Sequence, residues 1–187
     1  MGRITHKDAA DMSTAHKVSE AEWKSNTTHL DSQGNILSLF RSAEHAVAAS
    51  NAPSVWLAGA DTPCTGVSDE VQIQAALDSL GSYTAPVTKT KVGKVILSSG
   101  AFELAATINF TRSWSVIFEG QGDSTVLDGN NVCTPITVAS NAYKLVLRDF
   151  MVYYGNPYGI LVTSWTYGIL DNVYIMASNT ESLHITN

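Results

Sequence analysis

Two cysteines in 187 residues, Cys64 and Cys133, are too few for a disulfide framework. A single bridge between them stays open, and no Cys/His spacing resembles a zinc site. The five histidines, His6, His16, His29, His45 and His184, are scattered and read as solvated surface, so neither a metal nor a cofactor is expected. Charge is also scarce, at 15% of residues, and its balance is acidic, at -6. Phosphate backbones need concentrated positive charge, so an acidic chain without a Lys/Arg cluster is a poor partner for nucleic acid. The same shortage argues against adhesion to an anionic membrane. No apolar run is long enough for a bilayer, so membrane insertion is not expected. The N-terminus has no basic segment followed by an apolar one. The expectation is therefore a protein made in a cytoplasm without a signal peptide, reaching any site outside the cell by another route.

What remains is an ordinary apolar fraction of 44%, enough to bury a core. The polar complement is Thr, Ser, Asn and Gly, which suits many short strands and turns better than a helical bundle. The length allows one domain and an appendage.

Three regions follow from pattern. Residues 1–50 hold many of the charges and most of the histidines, and read as a helical leader. "VSEAEW" (18–23) carries a helix start, with Ser19 as cap, Glu22 closing a capping box, and Val18 and Trp23 in staple positions. A second helix is expected through 35–50, where Leu39, Ala43, Ala46 and Val47 make a thin apolar face. The alternative for this leader is a flexible extension or expression remnant. Residues 51–93 form a linker, with "SVWLAG" as a short strand or loop, and a helix over 68–81. In that helix Ser68 can cap, and Asp69 and Glu70 occupy the first turn, where the dipole favours anions. Ile73, Ala76, Leu77 and Leu80 form its apolar stripe, and Gly81 can end it.

From Lys94 the apolar period becomes two, and a longer repeat emerges over 94–187. Ile136, Ile160 and Leu183 correspond, as do Val138, Val162 and Ile185, at spacings of 24 and 23 residues. Ile108 and Phe110 fit one repeat earlier, at a spacing of 28. A second set aligns Val116/Phe118, Leu145/Leu147 and Gly168/Leu170, and a third aligns Phe150/Val152 with Val173/Ile175, with Val126 one repeat earlier. Strands this short do not hold together alone. Stacked about 4.8 Å apart they gain a hydrogen-bond ladder and columns of like side chains. The expected fold is mainly β: a right-handed, single-stranded parallel β-helix with three strands per coil, since parallel connections wind to the right by default. The helix at 68–81 is expected to cap the first coil, packing on a side face being the alternative. The stretch after strand A of a fourth coil is expected to be covered by further chain or by a partner.

The runs "CTGVSDEVQIQAALDSL", "GKVILSSGAFELAATINF" and "SVIFEGQGDSTVLDG" resemble the start of pectate-lyase-like parallel β-helix proteins. The matching features are Asp69/Glu70 before the capping helix, the Ser99-Gly100-Ala101-Phe102 turn, and Gly120-Gln121-Gly122. The resemblance covers residues 64–129 well and the later coils by period. It implies the fold. For function it implies a range: pectate lyases, polygalacturonases, phage tailspike depolymerases and non-enzymatic adhesins. With the helical leader and no signal peptide, the chain is most similar to a tailspike or tail-fibre protein.

Enzymes of that superfamily need neighbouring carboxylates on the outer face, or calcium-binding carboxylates with a basic residue. Asp149 aligns with Asn172, Arg148 with Asp171 as a possible ion pair, and Asp123 and Asp128 fall in turns, so no catalytic set is assigned. Tyr153, Tyr154, Tyr158, Trp165, Tyr167 and Tyr174 gather in the last coils. Tyr154, Trp165 and Tyr174 are candidates for stacking on sugar rings, packing against a neighbouring subunit or in turns being the alternative. The outward positions Ile117, Val146 and Ile169 in the second strand, and Leu161 and Met151 in the others, are apolar where a solvated face would be polar. They are expected to form an interface, either under the leader or in a homotrimer.

The functional expectation is a structural and receptor-binding component of a virus tail. Residues 1–50 would dock onto tail or baseplate proteins of the virion, and the β-helix would face a host polysaccharide. The competing expectations are a polysaccharide lyase or glycoside hydrolase, and a cell-surface adhesin.

Overall fold

The computed structural model describes residues 44–84, 89–111, 114–139, 144–164 and 166–186. The anticipated helix at 18–23, the leader as far as residue 43, and Trp165 lie outside them. The described residues belong to a compact unit spanning 42–187.

The unit is mainly β, a parallel β-solenoid of about four turns with two helices. Three stacks of strands build it. The first contains β6 (Ile108–Phe110), β9 (Ile136–Val138), β11 (Tyr158–Val162) and β13 (Glu181–Ile185). The second contains β1 (Glu44–Ala48), β4 (Lys89–Leu97), β7 (Trp114–Glu119), β10 (Lys144–Tyr153) and β12 (Gly168–Met176). The third contains β5 (Gly100–Glu103), β8 (Thr125–Asp128) and the later halves of β10 and β12. The short β2 (Thr62–Pro63) flanks β1, and β3 (Ser82–Thr84) makes an antiparallel hairpin with β4.

The register reproduces the repeat. Ile108, Ile136, Ile160 and Leu183 pair in succession, as do Phe110, Val138, Val162 and Ile185. Ile108, Ile136 and Ile160, with Phe110, Val138 and Val162, lie in one shared core. Phe118 stands at its centre, edge-on to Phe110 at 5.4 Å and to Phe150 at 5.6 Å, so one aromatic from each strand stack meets there.

The coils differ at the corner between second and third strands. In β10 and β12 that corner is one residue, Asp149 or Asn172, with φ of 58° and 51°. Asn and Asp tolerate this left-handed conformation best among residues with a side chain, and the Asn172 amide donates to Asp149 Oδ1 at 2.8 Å. Between β7 and β8 the corner is Gly120–Ser124 instead. Those additional residues explain the spacing of 28 where later coils need 24 and 23. In the coil before, the corner is followed by Gly100, at φ 125°, where a Cβ would collide with Ala49 and Asn51. Only glycine fits there.

Four expectations need correction. Residues 44–48, assigned to the second leader helix, are the strand β1. Val47 is fully buried and paired with Leu97, and burial between neighbours outweighs the helix propensity of an Ala-rich run. "SVWLAG" is a one-and-a-half-turn helix, α1 (Ser54–Gly59), entered through Pro53, whose fixed φ of -53° suits a helix start. Ser68 does not cap the next helix, α2 (Glu70–Ser79); it sits at φ 54°, and Asp69 occupies the cap position without bonding the helix. Val126 is not an interior residue: Leu127 is, fully buried, and Val126 points outward beside Met151.

The stripe Ile73, Ala76, Leu77 and Leu80 is buried in the common core. The Gln74 side chain accepts from Asn109 N–H at 2.9 Å and donates to Asn109 O at 3.3 Å. A side-chain amide thus satisfies the edge of β6 where an earlier strand would pair, which is how α2 closes the first coil. Asp69 is fully buried and accepts from Thr65 N–H (3.1 Å), Gly66 N–H (2.9 Å) and Glu103 N–H (3.0 Å). Glu70 accepts from Ala105 N–H at 3.0 Å. The two acids expected to serve the helix dipole instead tie the helix to β5 and the segment after it.

Candidate functional site

The outward positions of the third strand stack form two columns. One is Ala101, Val126, Met151 and Tyr174; the other is Glu103, Asp128, Tyr153 and Met176. Register therefore brings Glu103 and Asp128 side by side on adjacent coils, about 4.8 Å apart along the backbone. Asn130 spans the pair. Its N–H donates to Asp128 Oδ1 at 2.8 Å, and its side-chain amide donates to Glu103 Oε2 at 2.9 Å. Asn130 has φ 50°, a conformation that asparagine tolerates in turns.

Beside this pair lies an open cleft of about 560 Å³, lined by Gly66, Val67, Ser68, Glu103, Leu104, Ala105, Asn130 and Val132. The Asp69 and Glu70 hydrogen bonds described above fix its walls: Asp69 holds the Thr65–Gly66 backbone and Glu103, and Glu70 holds Ala105.

Further along the same face Tyr153 and Tyr154 lie against each other, tilted by 50°, with ring centroids 3.9 Å apart and hydroxyls 3.2 Å apart. The hydrogen bond and charge interaction with Tyr154, then partial burial and Asp128, push the Tyr153 phenol up, so it remains a neutral donor at physiological pH. Tyr174 is exposed next to Met151. Of the aromatic candidates, Tyr154 and Tyr174 do face outward, Tyr154 at a corner with φ 47° and Tyr174 in the strand face. They occupy different places, and Tyr153 stands between their columns. Trp165 lies outside the described residues.

The second strand stack presents a different surface. Ile117, Val146 and Ile169 form one outward column, partly buried at Ile117 and Val146 and exposed at Ile169, and continuing back to Lys94 and Glu44. The neighbouring column is charged. Arg148, aligned with Asp171, bonds Glu119 of the preceding coil instead, through Nε at 2.8 Å and again through Nη2. Lys94 reaches Glu119 at 3.0 Å and Glu44 at 3.4 Å. Burial alone would push Glu119 up, but hydrogen bonds from Arg148 and Lys94 outweigh it and hold the carboxyl below its usual range. The charge of Glu119 is thereby committed to the scaffold. Leu161 stands between Thr137 and His184, so its outward column on the first stack is not continuously apolar.

Cys64 and Cys133 are free and buried. Burial, then Asp69, pushes the Cys64 thiol up to about 12, and burial, then Glu70 and Asp128, pushes Cys133 up to about 11, so neither is a nucleophile at neutral pH. Among the described residues no three His, Cys, Asp or Glu side chains converge as metal ligands, and no helix is long and apolar enough to cross a membrane.

The Glu103–Asp128 pair and Asn130 are absent from the sequence-based site. Their signal was present: "AFEL" and "TVLD" each place an acid after a buried apolar residue, Phe102 or Leu127. Setting Val126 inward shifts that strand by one residue, and a one-residue shift exchanges the faces. Comparison with protein-family models, with curated proteins and with solved structures returns no match.

Proposed function

We propose that this chain is a structural and receptor-binding part of a virus tail, a tailspike or fibre, whose β-solenoid addresses a host-surface polysaccharide. The observation that carries the reading is the outer face of the third strand stack. Met151, Tyr153, Tyr174 and Met176 offer flat apolar surface there, with the acceptors Glu103 and Asp128 in line with them. Sugars bind through both features at once: C–H faces on aromatic rings and hydroxyls on fixed acceptors. The Ile117–Val146–Ile169 column on the second stack is assigned to self-association, as a homotrimer, and the residues ahead of β1 to docking on the particle, by position. Binding of the purified chain to immobilised host polysaccharide tests the reading, with Tyr174→Ala as comparison. Loss of binding in the variant with unchanged folding supports it. Equal binding by both proteins, or none by either, overturns it.

A second reading, a polysaccharide hydrolase, is favoured by the Glu103–Asp128 pair. Register sets the two acids on adjacent coils of one outer face, and glycosidases act with a pair of neighbouring carboxylates. Release of reducing sugar that disappears in both Glu103→Gln and Asp128→Asn would establish it over simple attachment.

A further inference from the structure

The cleft at the end of β5 adjoins the tyrosine face, with which it shares Glu103, but has its own chemistry. Two exposed apolar side chains stand on it, Val67 at 72% exposure and Val132 at 63%. They come from different segments, the loop before α2 and the turn after β8. Between them lie polar groups: the Glu103 carboxylate, the Asn130 amide and Ser68. Apolar walls with hydroxyl-binding groups between them match a pyranose ring, which shows C–H on its faces and O–H around its edge. The volume, about 560 Å³, exceeds what one or two such rings need.

Charge narrows the ligand. Among the described residues that line the cleft, none is Lys or Arg. Glu103 lines it, Glu70 bonds a lining backbone N–H, Asp128 pairs with Glu103, and Asp69 lies behind the loop. The Cys133 thiol, close by, is raised by burial and then by Glu70 and Asp128, in keeping with acidic surroundings. The basic side chains Lys94 and Arg148 are engaged with Glu119 on the second strand stack. Glu103 is the one charged side chain among the described lining residues, so a uronate carboxylate placed beside it meets like charge.

We infer that the cleft formed by Gly66–Ser68, Glu103–Ala105, Asn130 and Val132 is a subsite for a neutral sugar unit and excludes uronic acids. This rests on the glycan-directed reading above and selects within it. Glu103 accepts from ring hydroxyls, the Asn130 amide supports Glu103 and supplies its carbonyl, and Val67 and Val132 enclose the ring.

The test is titration of the isotope-labelled chain with neutral hexose oligosaccharides and, separately, with oligogalacturonate, followed by amide chemical shifts. The expected result is saturable shifts at Gly66–Ser68, Ala105 and Asn130–Val132 with a neutral oligosaccharide and none with oligogalacturonate. Asn130→Gly, which retains the left-handed backbone, is expected to weaken neutral binding roughly tenfold, the value of one good hydrogen bond to a charged system. Glu103→Gln tests the charge itself and should relax the exclusion of oligogalacturonate. If oligogalacturonate binds the unaltered chain at least as well, the inference fails and the glycan reading stands. If neutral sugars shift only residues around Tyr153 and Tyr174 and are indifferent to Asn130→Gly, the subsite is refuted and the glycan reading again stands. If no saccharide of either kind binds anywhere, both fall.

Discussion

The first and last coils contain the same kinds of residue in the same columns, yet bury them to different extents. Ile108, Ile136 and Ile160 are fully buried, whereas Leu183, next in their column, is 37% exposed. Phe110, Val138 and Val162 are buried, and Ile185 after them is 57% exposed. At the other edge the first coil has α2 against it, with Gln74 completing the ladder of β6. Hydrophobic identity alone therefore does not fix burial in a solenoid. A side chain is buried by the coils on both sides of it, so stability accumulates from neighbour to neighbour.

The sharpest way to break this comparison is at the centre. Phe118→Ala removes the ring that joins all three strand stacks and is expected to cost about 3–5 kcal/mol in a denaturant unfolding measurement. A cost below about 1 kcal/mol would show that the three stacks do not share one core. Next is the first-coil closure. Asp69→Ala leaves three backbone N–H groups without their acceptor, and about 3 kcal/mol is expected, with faster hydrogen exchange at Thr65, Gly66 and Glu103. Exchange unchanged at those amides would remove Asp69 from that role. The comparison itself is addressed by a pair within one column. Ile136→Ala is expected to cost about 2–5 kcal/mol and Leu183→Ala less than about 1 kcal/mol. Equal losses would mean that the end of the stack is covered in solution.

The smallest effect belongs to the surface network. The folded carboxyl of Glu119 titrates below its unfolded value. Its contribution is therefore complete above the ordinary glutamate range, near about pH 4.3, and is lost as pH falls through the lower folded value. The thermal midpoint of Glu119→Gln should lie slightly below that of the unaltered chain at neutral pH, and the two should converge on acidification. Because the partners are solvent-facing, salt should shrink the difference. A gap that persists at low pH would mean that Glu119 acts through packing.

How far the sequence could be read depended on how many neighbours each residue needed. The columns through Ile136, Val138 and Leu147 were legible because like residues follow them 23 or 24 positions later, at Ile160, Val162 and Leu170. The α2 stripe was legible for a local reason, the helical spacing of Ile73, Ala76, Leu77 and Leu80. β1 was not, because "EHAVA" has no repeat partner until it is laid beside "KVIL" fifty residues later, and alone it resembles the end of an Ala-rich helix. The cleft was hidden for the same reason at a finer scale. Gly66, Glu103 and Asn130 come from three segments, and only the buried carboxylate of Asp69 brings the first two together. The Glu119–Arg148 pair was missed by one coil: alignment found Asp171 beside Arg148 but did not reveal which neighbour the guanidinium would choose.

The corner between second and third strands has a consequence for how such a chain can grow. One coil turns it with Asp149 alone and another with the whole of Gly120–Ser124, and the columns on either side remain in step. The corner is therefore a seam: added sequence leaves the ladder undisturbed and emerges along one edge of the solenoid. Loops inserted in successive coils would stand in a row about 4.8 Å apart, so new surface can be written onto this edge, one coil at a time, without rewriting the interior.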